Sequence, residues 1–365
     1  MKKIDSTQMF FVLSLSIGLF NHVMIIPILF DTAGRDAWFW TLVTCGIACF
    51  FVVFLLFILR RKQQEPFHIW LENRIGKRFA KVTIWLIILY LLSIILVTIK
   101  DTVDWVISSF LFETPLLAIV LPFAIVCFFL AQAGLRAISI NSALLLPIVV
   151  VLGILVSTGN MPKKNFHFLF PLFEQGYFHG AKAIIYASNG FLELLFLVIL
   201  QHHFTDAKRF KAKTLVSLTI MLIILMVGPI TGALAEFGPI LSSELRHPSY
   251  EQWRLLKIGK YISHTDFFSI YQWLAGAFIR VVLPMFMIVD LLNLQKPAVK
   301  KIVLMFLSLL VVIMPLIPWS NITFYTFMKN YYFTNTSYFL HSLGLLFFIC
   351  ALLKPRKKVK KNEAV

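Results

Sequence analysis

Ten apolar runs, each about as long as a membrane is thick, occupy most of this 365-residue chain and leave only short charged connections between them. They cover roughly residues 9–30, 37–59, 82–99, 116–131, 138–157, 177–200, 215–235, 267–289, 302–319 and 338–353. A helix needs about 20 apolar residues to cross the hydrocarbon core. The longest connection, between the seventh and eighth runs, is about 30 residues, which leaves no room for a soluble domain. Composition agrees: 59% of residues are hydrophobic and 14% charged, with a mean hydropathy of +0.84. Soluble domains carry roughly 25% charged residues, and one this apolar would expose aggregating patches. The expected fold is all-α and integral to the membrane, with residues 1–365 forming a single transmembrane domain.

The net charge of +17 raises the question of nucleic acid, but the positions of the basic residues answer it. With the N-terminus placed inside, about 23 of the 34 Lys and Arg fall in inside segments and about nine outside; Lys182 and Arg280 lie within runs. Cytoplasmic loops carry such an excess, so both termini are expected in the cytoplasm, with the tail from Lys354 against anionic lipid headgroups. Nucleic acid is not an expected partner, since the 37 Phe lie mostly inside apolar runs. Lys2 and Lys3 precede the first run as in a signal peptide, but the run is about 20 residues long and no small-x-small site follows. It reads as a retained first span. Cys45, Cys49, Cys127 and Cys350 lie in spans and read as packing residues, not ligands or disulfides. No Walker loop, HExxH or G-x-S-x-G occurs. His202 and His203 read as interfacial residues ending span six. No catalytic residue, cofactor or metal ligand is expected.

Ten spans divide into five plus five: a first repeat over about 8–157, a second over about 177–353, and a basic tail, 354–365. Span one runs inside to outside and span six outside to inside, as in LeuT-like inverted-repeat transporters, whose helices one and six are broken near the midplane. Both carry helix-weakening residues about ten residues in: Ser14, Ser16, Gly18 and Asn21 before Pro27, and Ser188, Asn189 and Gly190. Small-residue helix packing enriches the same types; the alternative is a cavity lined by unwound backbone. The cavity reading makes Ser16, Ile17, Gly18, Leu19, Asn21, Ser188, Asn189 and Gly190 candidate ligand contacts. Polar stripes at helical spacing add Tyr90 and Val97 on span three, with Gln272 on span eight. Ionisable groups inside spans face the protein interior or water. Glu193, in line with Lys182, Tyr186 and Asn189, is expected to pair with Arg280. Asp266 shares the Arg280 face of span eight, as a third candidate buried charge. Lys100, Asp101 and Asp104 are expected near the outer surface, solvated.

The stretches Asn21-His22-Val23-Met24-Ile25-Ile26-Pro27 and Ala33-Gly34-Arg35-Asp36-Ala37-Trp38 resemble the B subunits of spore germinant receptors. These are the endospore germination permeases of the amino acid–polyamine–organocation superfamily. A second match runs from Arg254-Leu255-Leu256-Lys257-Ile258-Gly259 through Asp266, Trp273, Phe278 and Arg280. Ser263-His264-Thr265-Asp266 departs from the family's Glu-Arg-Leu-Asp-like run, and Arg280 stands where a lysine is common. The resemblance covers essentially the whole chain. It implies a nutrient sensor in the inner spore membrane that recognises a small nutrient, commonly an amino acid, beside a larger A subunit and a lipoprotein C subunit. It also implies a ligand among spans one, three, six and eight. Gly34, Arg35 and Asp36 then read as a structural motif: Asp36 caps the second helix and Arg35 clamps a carboxylate, or the motif touches ligand. Two other functional classes stay open, a secondary amino acid transporter coupled to protons through Glu193, and a structural anchor. The apolar lining expected from Ile17, Leu19, Val97 and Phe191 favours an aliphatic amino acid over a sugar.

Overall fold

The structure is a computed structural model that describes residues 3–174, 176–205, 212–259 and 261–355. The basic residues Lys2, Lys208, Arg209, Lys211 and Lys260, and the tail 356–365, lie outside the described residues. Among those described, every regular element is helical, and nine helical stretches are long and apolar enough to cross a membrane. The first, Ser6–Lys62, makes two passes, because the 3-10 turn Gly34–Asp36 interrupts it. Gly34 takes φ +51°, a value that L side chains seldom adopt. The chain is an all-α integral membrane protein, and its described residues make ten passes.

Span 1 (residues 6–33) and span 2 (Ala37–Lys62) are followed by a short helix, Phe67–Ile75. Spans 3 to 5 are Lys77–Ser109, Leu116–Ala133 and Leu135–Gly159. Spans 6 and 7 are Ala183–His203 and Ala212–Glu244, the latter bent at Gly238. After the short helix Pro248–Leu255 come span 8 (Phe267–Leu291), span 9 (Pro297–Leu316) and span 10 (Asn321–Leu352). An even number of passes puts Lys3 and Pro355 on one face, here termed the amino-terminal face. The turn at Gly34 lies on the opposite, distal face.

Two departures from the expected spans have local causes. Span 6 starts at Ala183, not 177, because residues 177–182 turn through Gly180 (φ +81°), packed against Ala33. Span 10 starts 17 residues early: Ser320 accepts from the Thr323 amide, capping a helix that polar residues had hidden from hydropathy. Helix Pro248–Leu255 occupies part of the connection between the seventh and eighth runs; Pro248 pre-sets its first turn.

The interruptions in spans 1 and 6 change helix type without unwinding it. Span 1 runs as an α-helix to Leu19, a π-helix over Phe20–Met24 and an α-helix from Ile26. Pro27 has no N–H to donate, so the register shift falls just ahead of it, and Ile25 keeps helical dihedrals. Gly18 sits in regular helix. Span 6 tightens to 3-10 over Glu193–Leu195, also with helical dihedrals. Two carbonyls of span 1 beside its interruption are taken by side chains. Ser249 Oγ donates to His22 O at 2.5 Å, and Arg280 donates to Ser16 O at 3.0 Å.

Candidate functional site

The expected site residues separate into three neighbouring groups. The first is ionic. Arg280 meets Glu193 through two parallel bonds of 2.7 Å, and Tyr90 donates to the same carboxylate at 2.9 Å. Both charged side chains are 2% exposed. Span 8 brings the guanidinium, spans 3 and 6 bring Tyr90 and Glu193, and Phe20 of span 1 lies under the guanidinium at 4.9 Å. Bidentate geometry with extra hydrogen bonds is what makes buried charge tolerable. Asp266 does not join them. It is half-buried just before span 8, because the stripe that reaches Arg280 begins outside the helix.

The second group is a crossing of spans 1, 6 and 10. Asn21 packs so tightly on Gly190 that a Cβ there would lie 1.7 Å from Asn21 Oδ1. Asn189 donates to Phe333 O at 3.0 Å, a carbonyl just past the π-helix Met328–Tyr332 of span 10. Ser188 bonds within its own helix and faces Ser337. The Asn21 side chain is fully buried, and neither its nitrogen nor its oxygen has a hydrogen-bond partner. Ile17 and Val97 are core residues, and Ser16 contributes its carbonyl while its hydroxyl is unpartnered.

The third group lines a cavity of about 40 Å³ between spans 1, 5, 7 and 8 and helix Pro248–Leu255. Of the expected contacts, Gly18, Leu19 and Gln272 reach it, joined by Ser14, Leu15, Val149 and Leu225. Gln272 is already occupied, accepting from Trp253 and donating to Val149 O, both at 3.1 Å. Ser14 Oγ is buried with no partner. The cavity has room for a few waters, far below the 300–1,000 Å³ usual for small-molecule sites.

Above it, on the distal face, opens a vestibule of about 810 Å³. Asp31, Asp101, Asp104, Glu244, Glu251 and Asp266 line it against Arg246 and Arg254. Lys100 and Asp101 are buried, not solvated as expected, because each has found a partner: Lys100–Asp104 at 2.9 Å and Arg246–Asp101 at 2.5 Å. Tyr250 belongs to both the vestibule and the cavity. Beside it Trp105 and Trp273 stack with ring centroids 4.0 Å apart and planes 9° from parallel. Tyr250 meets Trp105 edge-on at 5.5 Å, and His247 meets Trp273 at 5.0 Å. This aromatic layer separates the two spaces. His247 is half-buried; desolvation first, then the adjacent Arg246, hold its pKa well below the usual imidazole range.

The Gly34-Arg35-Asp36 motif acts outside these groups. Arg35 pairs with Glu174 at 2.7 Å. Asp36 does not cap span 2; both its oxygens accept from the Phe173 amide, at 3.1 and 3.2 Å. Trp38 and Trp40 donate to Leu169 O and His179 O. The motif thus pins the span 5–6 connection onto the turn between spans 1 and 2. Tyr250, Trp105 and Ser249 were missed by sequence reasoning, which named Ser14 only as a helix-weakening residue. Only Pro248, a helix-starting residue inside an apparent loop, signalled the element that carries two of them.

Comparison with known proteins bears on this arrangement. A family model described as spore germination protein matches residues 3–318. A curated relative, spore germination protein XB of Bacillus anthracis, is 35% identical over 344 residues, covering 94% of this chain and 96% of its own. The ten-pass helical fold and a match over nearly the whole chain lead to one statement: this chain belongs to the spore germination permease family.

Proposed function

We propose that this chain is the permease-like, nutrient-recognising subunit of a spore germinant receptor. In this reading it sits in the inner spore membrane with both termini cytoplasmic and the distal face outward. A receptor A subunit and a lipoprotein C subunit are its partners. One observation carries the reading: an acid-rich vestibule lies directly over a small apolar cavity, and Tyr250 forms part of the wall of both. The carboxylates attract the ammonium end of an amino acid. Leu15, Leu19, Val149 and Leu225 suit an aliphatic side chain, replacing most of the lining expected from sequence. Binding requires the cavity to enlarge, hence the Trp105–Trp273 layer to part. The nutrient then shifts the population toward the parted state by no more than its differential affinity for the two states.

Germination of spores lacking this gene, tested against single nutrients, decides the matter. Selective loss of one response is expected, and an unchanged response to every nutrient overturns the reading. Gly18→Trp fills the cavity wall, where even a Cβ would meet Leu225 at 2.8 Å, and should abolish that response. Coupled uptake by the purified chain in proteoliposomes would favour the transporter reading instead. Against proton coupling through Glu193 stands its carboxylate, held on both oxygens by Arg280.

A further inference from the structure

At the amino-terminal face, far from the aromatic layer, three potential ligands from spans 6 and 8 converge. His203 Nε2 lies 3.0 Å from one oxygen of Asp290, and His202 Nε2 lies 3.4 Å from the other. All three donor atoms fall within 4.8 Å of one another. His202 Nδ1 is 3.1 Å from Ile199 O. A carbonyl only accepts, so that nitrogen carries the hydrogen. In the neutral ring Nε2 is then a bare lone pair facing a carboxylate oxygen, acceptor against acceptor. Something positive must lie between them, either a proton on His202 or a metal ion. The His203 ring lies 3.9 Å away, centroid to centroid, so the two rings share that carboxylate.

We propose that His202, His203 and Asp290 bind a divalent transition-metal ion of the zinc class. Ligands at the usual 2.0–2.1 Å around a tetrahedral ion stand about 3.3 Å apart, close to the two nitrogen–oxygen spacings, one to each oxygen of Asp290. The histidine that gives its other N–H to a backbone carbonyl is the usual orientation of a metal-bound imidazole. The frame is rigid: Ile4 donates to His203 O at 3.0 Å, and Gln201 donates to Leu59 O at 2.7 Å. The side chains are 14–18% exposed, enough to leave an open fourth position and an entry path. Such an ion joins the carboxy-terminal ends of the two spans that carry Glu193 and Arg280, at the amino-terminal face. It acts as a removable tie that holds this end closed while the distal end works. The assignment stands independently of the nutrient reading.

The test uses the full chain, purified without a polyhistidine tag, stripped with chelator and titrated with Co2+ and Zn2+. One equivalent should bind per chain, with the visible bands of low-coordinate cobalt and a raised unfolding temperature. His203→Gln and Asp290→Asn should each weaken binding more than tenfold. Their helical circular dichroism and monodisperse elution should match wild type, which separates ligand loss from misfolding. The absence of stoichiometric binding, or binding unaltered in both folded variants, overturns the proposal and leaves an imidazolium–carboxylate pair only.

Discussion

Glu193 and Arg280 sit where water does not reach, so each is tolerable only because of the other. Removing one partner of a buried pair typically costs about 3–5 kcal/mol, whereas apolar replacement of both is often near neutral. Glu193→Leu should therefore lower the unfolding midpoint in detergent sharply, and Glu193→Leu with Arg280→Met should recover most of it. Midpoints that add simply would show that the pair contributes no coupling. His247 offers a second test. Its folded pKa is depressed, so the folded state favours the neutral ring and the unfolded state takes up a proton near pH 6.5. This contribution is complete above about pH 6.5 and falls away as the pH drops toward the folded value. Wild type should lose about 1.4 kcal/mol more than His247→Gln between pH 7.5 and 5.5, read from paired denaturation curves. That two ionisable side chains in apolar spans would meet was legible, because lipid leaves them few other places to turn. That Lys100 and Asp101 would be buried was not, since their partners lie far along the chain or depend on depth.

Among the elements, span 1 concentrates the unusual features: a π-helical turn, a proline restart and a buried amide with unmet hydrogen-bonding capacity. An unsatisfied buried donor or acceptor costs about 1–3 kcal/mol, and Asn21 holds one of each. In the reading proposed above, a second arrangement of spans 1 and 6 uses this amide, which has no partner at the Gly190 crossing. Asn21→Leu should leave the unfolding temperature equal or higher while reducing the germination response at least tenfold. A variant that is destabilised yet fully responsive would assign Asn21 a packing role alone. The weak points of spans 1 and 6 were readable from Gly, Ser, Asn and Pro at matching depth. Their form was not, because neighbouring side chains such as Ser249 and Arg280 decide whether a freed carbonyl opens the helix or merely shifts its register. Tertiary partners settle that, and local propensity is silent on them.

Across the whole molecule, burial is uneven in a way that orders the bundle. The most apolar windows of spans 6 and 8 are 83% and 78% buried, against 22% for spans 4 and 9. Spans 6 and 8 form the centre, and spans 4 and 9 meet lipid. Hydropathy announced ten passes, because the bilayer imposes length and apolarity on every one alike. The same uniformity hides which passes are central, and an aromatic layer is hard to read in a chain with 37 Phe and 8 Trp. The stack of Trp105 on Trp273 has one more consequence. Two indoles stacked 4.0 Å apart and nearly parallel couple their electronic transitions, so the closed protein should show an indole ultraviolet absorbance altered from that of separate indoles. Trp105→Phe should remove this stacking contribution, and a nutrient that parts the rings should remove it in wild type. The chain thus contains its own optical gauge of the entrance, readable without a label.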